Sequence, residues 1–215
     1  MTPAARPAQP FTAGHPAPAL PTRPDRPEYV MAPPDAHAHT VSGELAQEIA
    51  EQAAREQLIR QLGIPTGASD LYDEFASRMA LEAGFAYGMV NLFLGKQTFI
   101  GLHNPPAESG FVIVQRTMSR ANGWCPEVVK RRMALPLYNV HASPRFSGNA
   151  VVDAVGIQSY FGAPLLHPES GICVGTVCVV DPEPRHVSEA RRLRDIVVAT
   201  GREVMATFID QSARH

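Results

Sequence analysis

Residues 160–185 read YFGAPLLHPESGICVGTVCVVDPEPR, and this stretch decides the fold. Tyr160 to Leu166 and Ile172 to Val180 are apolar, β-rich runs joined by Pro168-Glu169-Ser170-Gly171, a turn-forming connection that predicts two paired strands. Gly162 and Gly175 inside those strands predict a close backbone approach or a bulge, and Pro164 predicts an edge or bulge position. Asp181-Pro182 ends the second strand, because proline withholds the donor that a further rung would need.

Outward from this pair, Val187 onward reads as a helix, with Leu193, Ile196, Val197, Val204 and Phe208 on one apolar stripe. On the other side, Met133 to Val140 predicts a strand that follows a short helix through Pro126-Glu127-Val128-Val129-Lys130. His141 to Gly156 is irregular. Phe85 to Leu94 and Gln97 to His103 predict a hairpin turning at Gly95-Lys96. Two helices precede it. The first begins at Ser42-Gly43-Glu44-Leu45, carries Leu45, Ile49, Ala53 and Leu62 near helical spacing, and ends at Gly63. The second is capped by Thr66 or Ser69, carries Leu71, Phe75, Met79 and Ala83, and stops at Gly84. Sequential strands with helices at both ends predict an α+β domain with one antiparallel sheet and helices packed on its face. The long connection over residues 104–156 is where a binding loop or lid is expected.

Composition sets the outer limits. Of 20 prolines in 215 residues, ten fall in the first 34 positions. Residues 1–40 are therefore expected to be a disordered Ala/Pro-rich tail with polyproline II stretches, leaving residues 41–215 as a single domain. Pro-rich segments also dock in aromatic grooves, which makes the tail a second place for a partner. A net charge of −2 and a pI of about 6.4 argue against nucleic acid as the main partner. The longest apolar run, Ile172 to Val180, is far shorter than a membrane span, and no secretory block is visible near the start. Cytoplasmic localisation with reduced thiols is the expectation, since three cysteines do not build a disulfide framework.

The runs Asn122-Gly123-Trp124-Cys125, Leu135 to Val140, Ser143-Pro144-Arg145-Phe146, Tyr160 to Leu165, Gly175 to Asp181 and Pro184-Arg185 together resemble a GAF domain over roughly residues 60–205. The resemblance is to the GAF domains that precede bacterial histidine kinases and cyclic-dinucleotide enzymes. It implies a GAF-like α+β fold with a central antiparallel sheet, terminal helices on one face, and a ligand cavity under the long connection on the other. It also implies pairing of the first and last helices across a homodimer.

Within that frame the expected ligand-lining residues are Asn122, Trp124, Cys125, His141, Phe146 and Tyr160, aromatic walls with a few polar groups. His141 and Pro144 stand where many relatives carry acids. Each of these residues also has an ordinary reading: core packing for the aromatics, backbone hydrogen bonding for His141, an inert buried thiol for Cys125.

Other chemistries find less support. Some stand-alone relatives reduce free methionine sulfoxide with cavity cysteines, but Cys173 and Cys178 are five apart on one strand and so point to opposite faces. Their spacing does not reproduce that subfamily's cluster. His37 and His39 form a weak two-residue ligand spacing, and no metal site is expected. Gly88 to Lys96 has the wrong spacing for a P-loop. The Asn-Lys-Phe-Asp-Glu signature of cyclic-GMP receptors and any bilin-attachment pattern are missing, and Lys130-Arg131-Arg132 reads as a solvated helix face.

The expectation is therefore a non-catalytic regulatory domain that binds a small molecule of unknown identity and signals through a homodimer or a protein partner. No cofactor is assigned. The alternatives are a thiol enzyme of the free methionine-R-sulfoxide reductase type and a ligand-free interaction module.

Overall fold

A computed structural model describes residues 35–214. Of the expected tail, residues 1–34 lie outside the described residues, as do the side chains of His37 and His39. The first helix, α1, runs Asp35–Gln61 and so starts before Ser42. It is followed by α2 (Asp70–Ala83), β1 (Tyr87–Phe93), β2 (Gln97–His103) and a two-residue β3 (Thr117–Met118). Then come α3 (Cys125–Arg131), β4 (Leu135–Leu137), α4 (Pro144–Ser147), α5 (Ala150–Val155), β5 (Ser159–Leu166), β6 (Cys173–Asp181) and α6 (Ala190–Ser212).

The strands form one sheet in the order β3-β2-β1-β6-β5-β4, with every neighbouring pair antiparallel. This is the α+β architecture that the sequence predicts. The two strands that decided the fold pair from Ser159↔Asp181 to Leu166↔Cys173, with a bulge at Leu165/Leu166. β6 sits at the centre between β1 and β5, which is why all nine of its residues are buried. Pro164 falls beyond the end of β4, whose rungs stop at Gly162, so its missing N–H breaks no rung on that side.

One face of the sheet carries the terminal helices. Leu193, Val197, Val204 and Phe208 of α6 pack with Met79 and Ala76 of α2 over Val90, Ile100, Phe161 and Val177. The α6 stripe is the predicted one. The buried face of α2 is turned from the predicted stripe: Tyr72, Ala76, Met79, Ala80 and Ala83 are inside, and Leu71 is exposed. Two glycines set the depth of that packing. A Cβ on Gly88 or Gly101 would run into the carbonyl oxygen of Ala76 or Tyr72, so α2 lies flat on β1 and β2 only because both positions are bare.

The stripe expected on α1 is not a core stripe. Leu45 and Ile49 are 57% and 63% exposed; the buried contacts come from the last third of the helix, through Leu58, Ile59 and Arg55, while Gln52 donates to the Phe93 carbonyl and Glu48 and Glu51 pair with Arg120 and Arg132 ahead of it. Arg55 Nε donates to the Cys173 carbonyl at 2.6 Å, fastening the helix to the start of β6. Burial draws the Arg55 pKa down from its ordinary value.

The opposite face is covered by the connection from His103 to Ser159. Its irregular part contains the short helices α4 and α5, too brief to show a periodic pattern. No described helix is long and apolar enough to cross a membrane.

Candidate functional site

The second core lies between the sheet and this roof. Tyr87, Met89, Phe93, Phe99, Tyr160, Cys178 and Val180 project from the strands, and Trp124, Cys125, Val128, Val140 and Ile157 close over them. The roof is held by polar pins. Asn149 bridges Gly123 from both ends, its Oδ1 accepting from the Gly123 N–H at 3.1 Å and its Nδ2 donating to the Gly123 carbonyl at 2.8 Å. Trp124 Nε1 donates to the Phe146 carbonyl at 3.1 Å, and Arg145 pairs with Glu127 at 2.6 Å.

Three of the six expected site residues meet here. Trp124, Cys125 and Tyr160 are buried, with the Trp124 and Tyr160 ring centroids 5.4 Å apart and the Tyr160 hydroxyl donating to Cys125 Sγ at 3.5 Å. Tyr160 can lie along β5 because Gly162, two residues on and on the same face, has no side chain where the phenol rests. Phe146 is half-buried beside them. Asn122 contributes its backbone carbonyl, which accepts from Gln97 Nε2 at 2.7 Å. His141 is not brought in: it is exposed on a 3-10 turn, Val140–Ala142, where its backbone N–H donates to Asn139 Oδ1.

The structure adds residues that the sequence reading did not single out. Asn91, Gln97 and Thr176 form a fully buried polar row on the strands beneath the roof. Asn91 Nδ2 donates to Gln97 Oε1 at 2.9 Å and reaches Thr176 Oγ1 at 3.5 Å, while Gln97 Nε2 also donates to the Ser119 carbonyl at 2.8 Å. Asn91 Oδ1 has no partner. A buried acceptor left without a hydrogen bond costs about 1–3 kcal/mol. The available sequence signal was one amide in the otherwise apolar strand Tyr87–Phe93.

Beside that row, Cys125 Sγ lies 3.7 Å from Cys178 Sγ, which is itself 3.7 Å from Met89 Sδ. All three cysteines are free thiols. The contact between the two sulfurs lowers the Cys125 pKa, aided by Thr176, Tyr160 and Asn91, and opposed by burial. The same contact, with burial, pushes Cys178 well up. Of the two thiols, Cys125 is thus the one drawn down and Cys178 the one pushed up. Cys173, on the other face of β6 as its odd spacing predicts, is pushed up to about 11 by burial.

These side chains pack into one buried cluster under the roof. Two shallow depressions elsewhere, of about 590 and 580 Å³, are lined by Thr66 and Lys96 and by Glu82 and Arg191 respectively, and include no expected site residue. Among the described residues no group of three His, Cys, Asp or Glu side chains is placed to hold a metal.

An antiparallel sheet with terminal helices on one face and a helical roof on the other defines an α+β domain with a second buried layer between sheet and roof. The chain belongs to the GAF domain family, whose model matches residues 68–205. Among solved structures it resembles the GAF domain of a phosphoenolpyruvate-protein phosphotransferase from Coxiella burnetii. That likeness has a TM-score of 0.52 and 11% identity, over 76% of this chain and 95% of that one. The GAF domain nlh2 of A. aeolicus, in an inactive state, matches with a TM-score of 0.50 and 11% identity over 76% and 97%. A free methionine-R-sulfoxide reductase from Neisseria meningitidis, in complex with its substrate, has a TM-score of 0.49 and 12% identity over 74% and 88%. At such identities the likeness is one of fold. No curated protein matches the chain in sequence.

Proposed function

We propose that this chain is a non-catalytic, signal-sensing GAF domain that takes a small polar molecule between its sheet and its roof. The observation that supports this most is the unpartnered Asn91 Oδ1, an acceptor in the buried polar row beside Thr176 and the Cys125 sulfur. A donor on the ligand satisfies that acceptor, and an aromatic or aliphatic body replaces part of the packing between Trp124 and Tyr160.

Entry requires the roof to move, since every one of these groups is buried. A ligand that binds one roof packing better than another shifts the population between them. The change leaves through a homodimer or a signalling partner at the helices. Leu45 and Ile49, exposed on α1, are the apolar contacts available for it. The proposed setting is the cytoplasm, consistent with the three free thiols.

The test is a thermal-shift screen of the full chain against a panel of nucleotides, amino acids, keto acids and aromatic metabolites. A saturable rise in Tm that Thr176→Val or Asn91→Ser removes supports the reading. A panel that leaves Tm unchanged overturns it. Turnover of free methionine sulfoxide with a thioredoxin couple, abolished by Cys125→Ser, replaces it with thiol catalysis.

A further inference from the structure

We propose that Cys125 and Cys178 are a peroxide-responsive dithiol that closes to an intramolecular disulfide, stapling the roof to the central strand. The inference rests on the placement of the sulfurs and stands whether or not the domain binds a metabolite. Cys125 opens α3, a seven-residue helix of the roof, and Cys178 lies in β6 at the middle of the sheet. Their sulfurs are 3.7 Å apart although the residues are 53 positions apart in the chain. A bonded pair needs about 2.05 Å, so a shift of under 2 Å by one short helix closes the bond.

The surroundings assign the two roles. Cys125 accepts a hydrogen bond from the Tyr160 hydroxyl and faces Thr176 and Asn91, groups that favour its thiolate. Cys178 faces Cys125 and the Met89 thioether, which offer its proton no stronger acceptor than the Cys125 sulfur. Cys125 is the attacking sulfur and Cys178 the resolving one.

The chemistry balances with hydrogen peroxide as the oxidant. The Cys125 thiolate attacks one peroxide oxygen: an S–O bond forms, the O–O bond breaks, and the departing oxygen takes a proton and leaves as water. Cys125 is then a sulfenic acid. The Cys178 sulfur attacks the sulfenic sulfur: an S–S bond forms, the S–O bond breaks, and the hydroxyl leaves with the Cys178 proton as a second water. Two thiols lose two electrons and two protons, and peroxide is reduced to two waters. A dithiol reductant reverses the bond by exchange.

Cys173 is the internal control. It lies on the other face of β6, with its Sγ 3.2 Å from the Gly175 carbonyl and no second cysteine beside it.

The experiment treats the full, reduced chain with one equivalent of hydrogen peroxide, counts thiols after denaturation, and maps the peptides without reduction. The proposal expects the count to fall from three to one, a Cys125–Cys178 linked peptide two hydrogens lighter than its parts, and full recovery with dithiothreitol. Cys178→Ala is expected to leave a sulfenic acid on Cys125, captured by dimedone. Three thiols surviving at a dose that oxidises the urea-unfolded chain overturn the proposal. So does a link through Cys173, a link between chains, or sulfinic acid on Cys125 in its place. Should Cys178→Ala not fold, the peptide map of the unaltered chain decides by itself.

Discussion

Trp124 and Tyr160 meet as a tilted ring pair, at 46° with centroids 5.4 Å apart, one ring from the roof and one from the sheet. Around that contact the roof is closed. Trp124 is also tied sideways to the Phe146 carbonyl, so the indole links three separate segments of chain. Removing it opens a cavity that the short helices α3 to α5 cannot refill. Trp124→Ala is expected to lower stability by about 3–5 kcal/mol, read from urea midpoints by circular dichroism because the protein has only this tryptophan. Trp124→Phe keeps the ring pair and loses less.

A second prediction concerns high pH. Tyr72 is buried, donates to Gln211 Oε1 at 2.9 Å, and has its pKa pushed up to about 12 from 10 by burial. The folded chain thus keeps a proton that the unfolded chain releases above pH 10. Stability is fully present below pH 10 and falls between 10 and 12, by about 2 kcal/mol at pH 12 from this group alone. Tyr87 and Tyr160 shift in the same direction and steepen the loss. Urea midpoints measured from pH 8 to 11.5 check the sign, and Tyr72→Phe is expected to shallow the slope.

The bare positions under α2 give a third. In Gly101→Ala the new methyl meets the Tyr72 carbonyl, which belongs to a helix backbone and cannot swing aside as a side chain would. Destabilisation of about 1–3 kcal/mol or more is expected. Gly95→Ala, in the hairpin turn with open space around it, serves as the control and is expected to change Tm by a degree or two.

Asp181 carries the fourth. It is buried at the end of β6, where Oδ2 accepts from the Ala86 N–H at 2.8 Å and pairs with Arg185 at 2.9 Å, and Oδ1 accepts from the Glu183 N–H at 2.9 Å. Arg185 in turn lies over the Phe85 ring, its guanidinium carbon 4.4 Å from the centroid. Asp181→Ala removes the carboxylate partner of Arg185, whose Nη2 keeps only its bond to the Gly84 carbonyl at 2.7 Å, and leaves two backbone donors unsatisfied, and is expected to cost about 3–5 kcal/mol. A loss below 1 kcal/mol in thermal melts would contradict this account of the strand end.

Much of the fold was legible because its elements are long. The α6 stripe repeats over about four turns, and the hairpin and the closing strand pair carry their turn residues in plain view. α1 misled because Leu45 and Ile49 have helical spacing but stay largely exposed, while the anchor is the charged Arg55, which a hydrophobic pattern passes over. Helices of four and six residues leave no periodicity to read, so residues 141–156 gave only a long connection. At the site, the odd spacing of Cys173 and Cys178 correctly separated them. That Cys178 meets Cys125 is a tertiary fact of the roof's path, and no local pattern encodes it. His141 was expected inward from its place in the segment; the 3-10 turn capped by Asn139 points it to solvent.

The proposed ligand site is the layer between sheet and roof. Native mass spectrometry of the freshly purified full chain, with a titration of Trp124 emission by whatever species is released, tests it most directly. The account predicts one bound molecule per chain whose re-addition changes the emission saturably, with Asn91→Ser weakening binding at least tenfold. A protein that purifies empty, and whose Trp124 emission no metabolite changes, would contradict it.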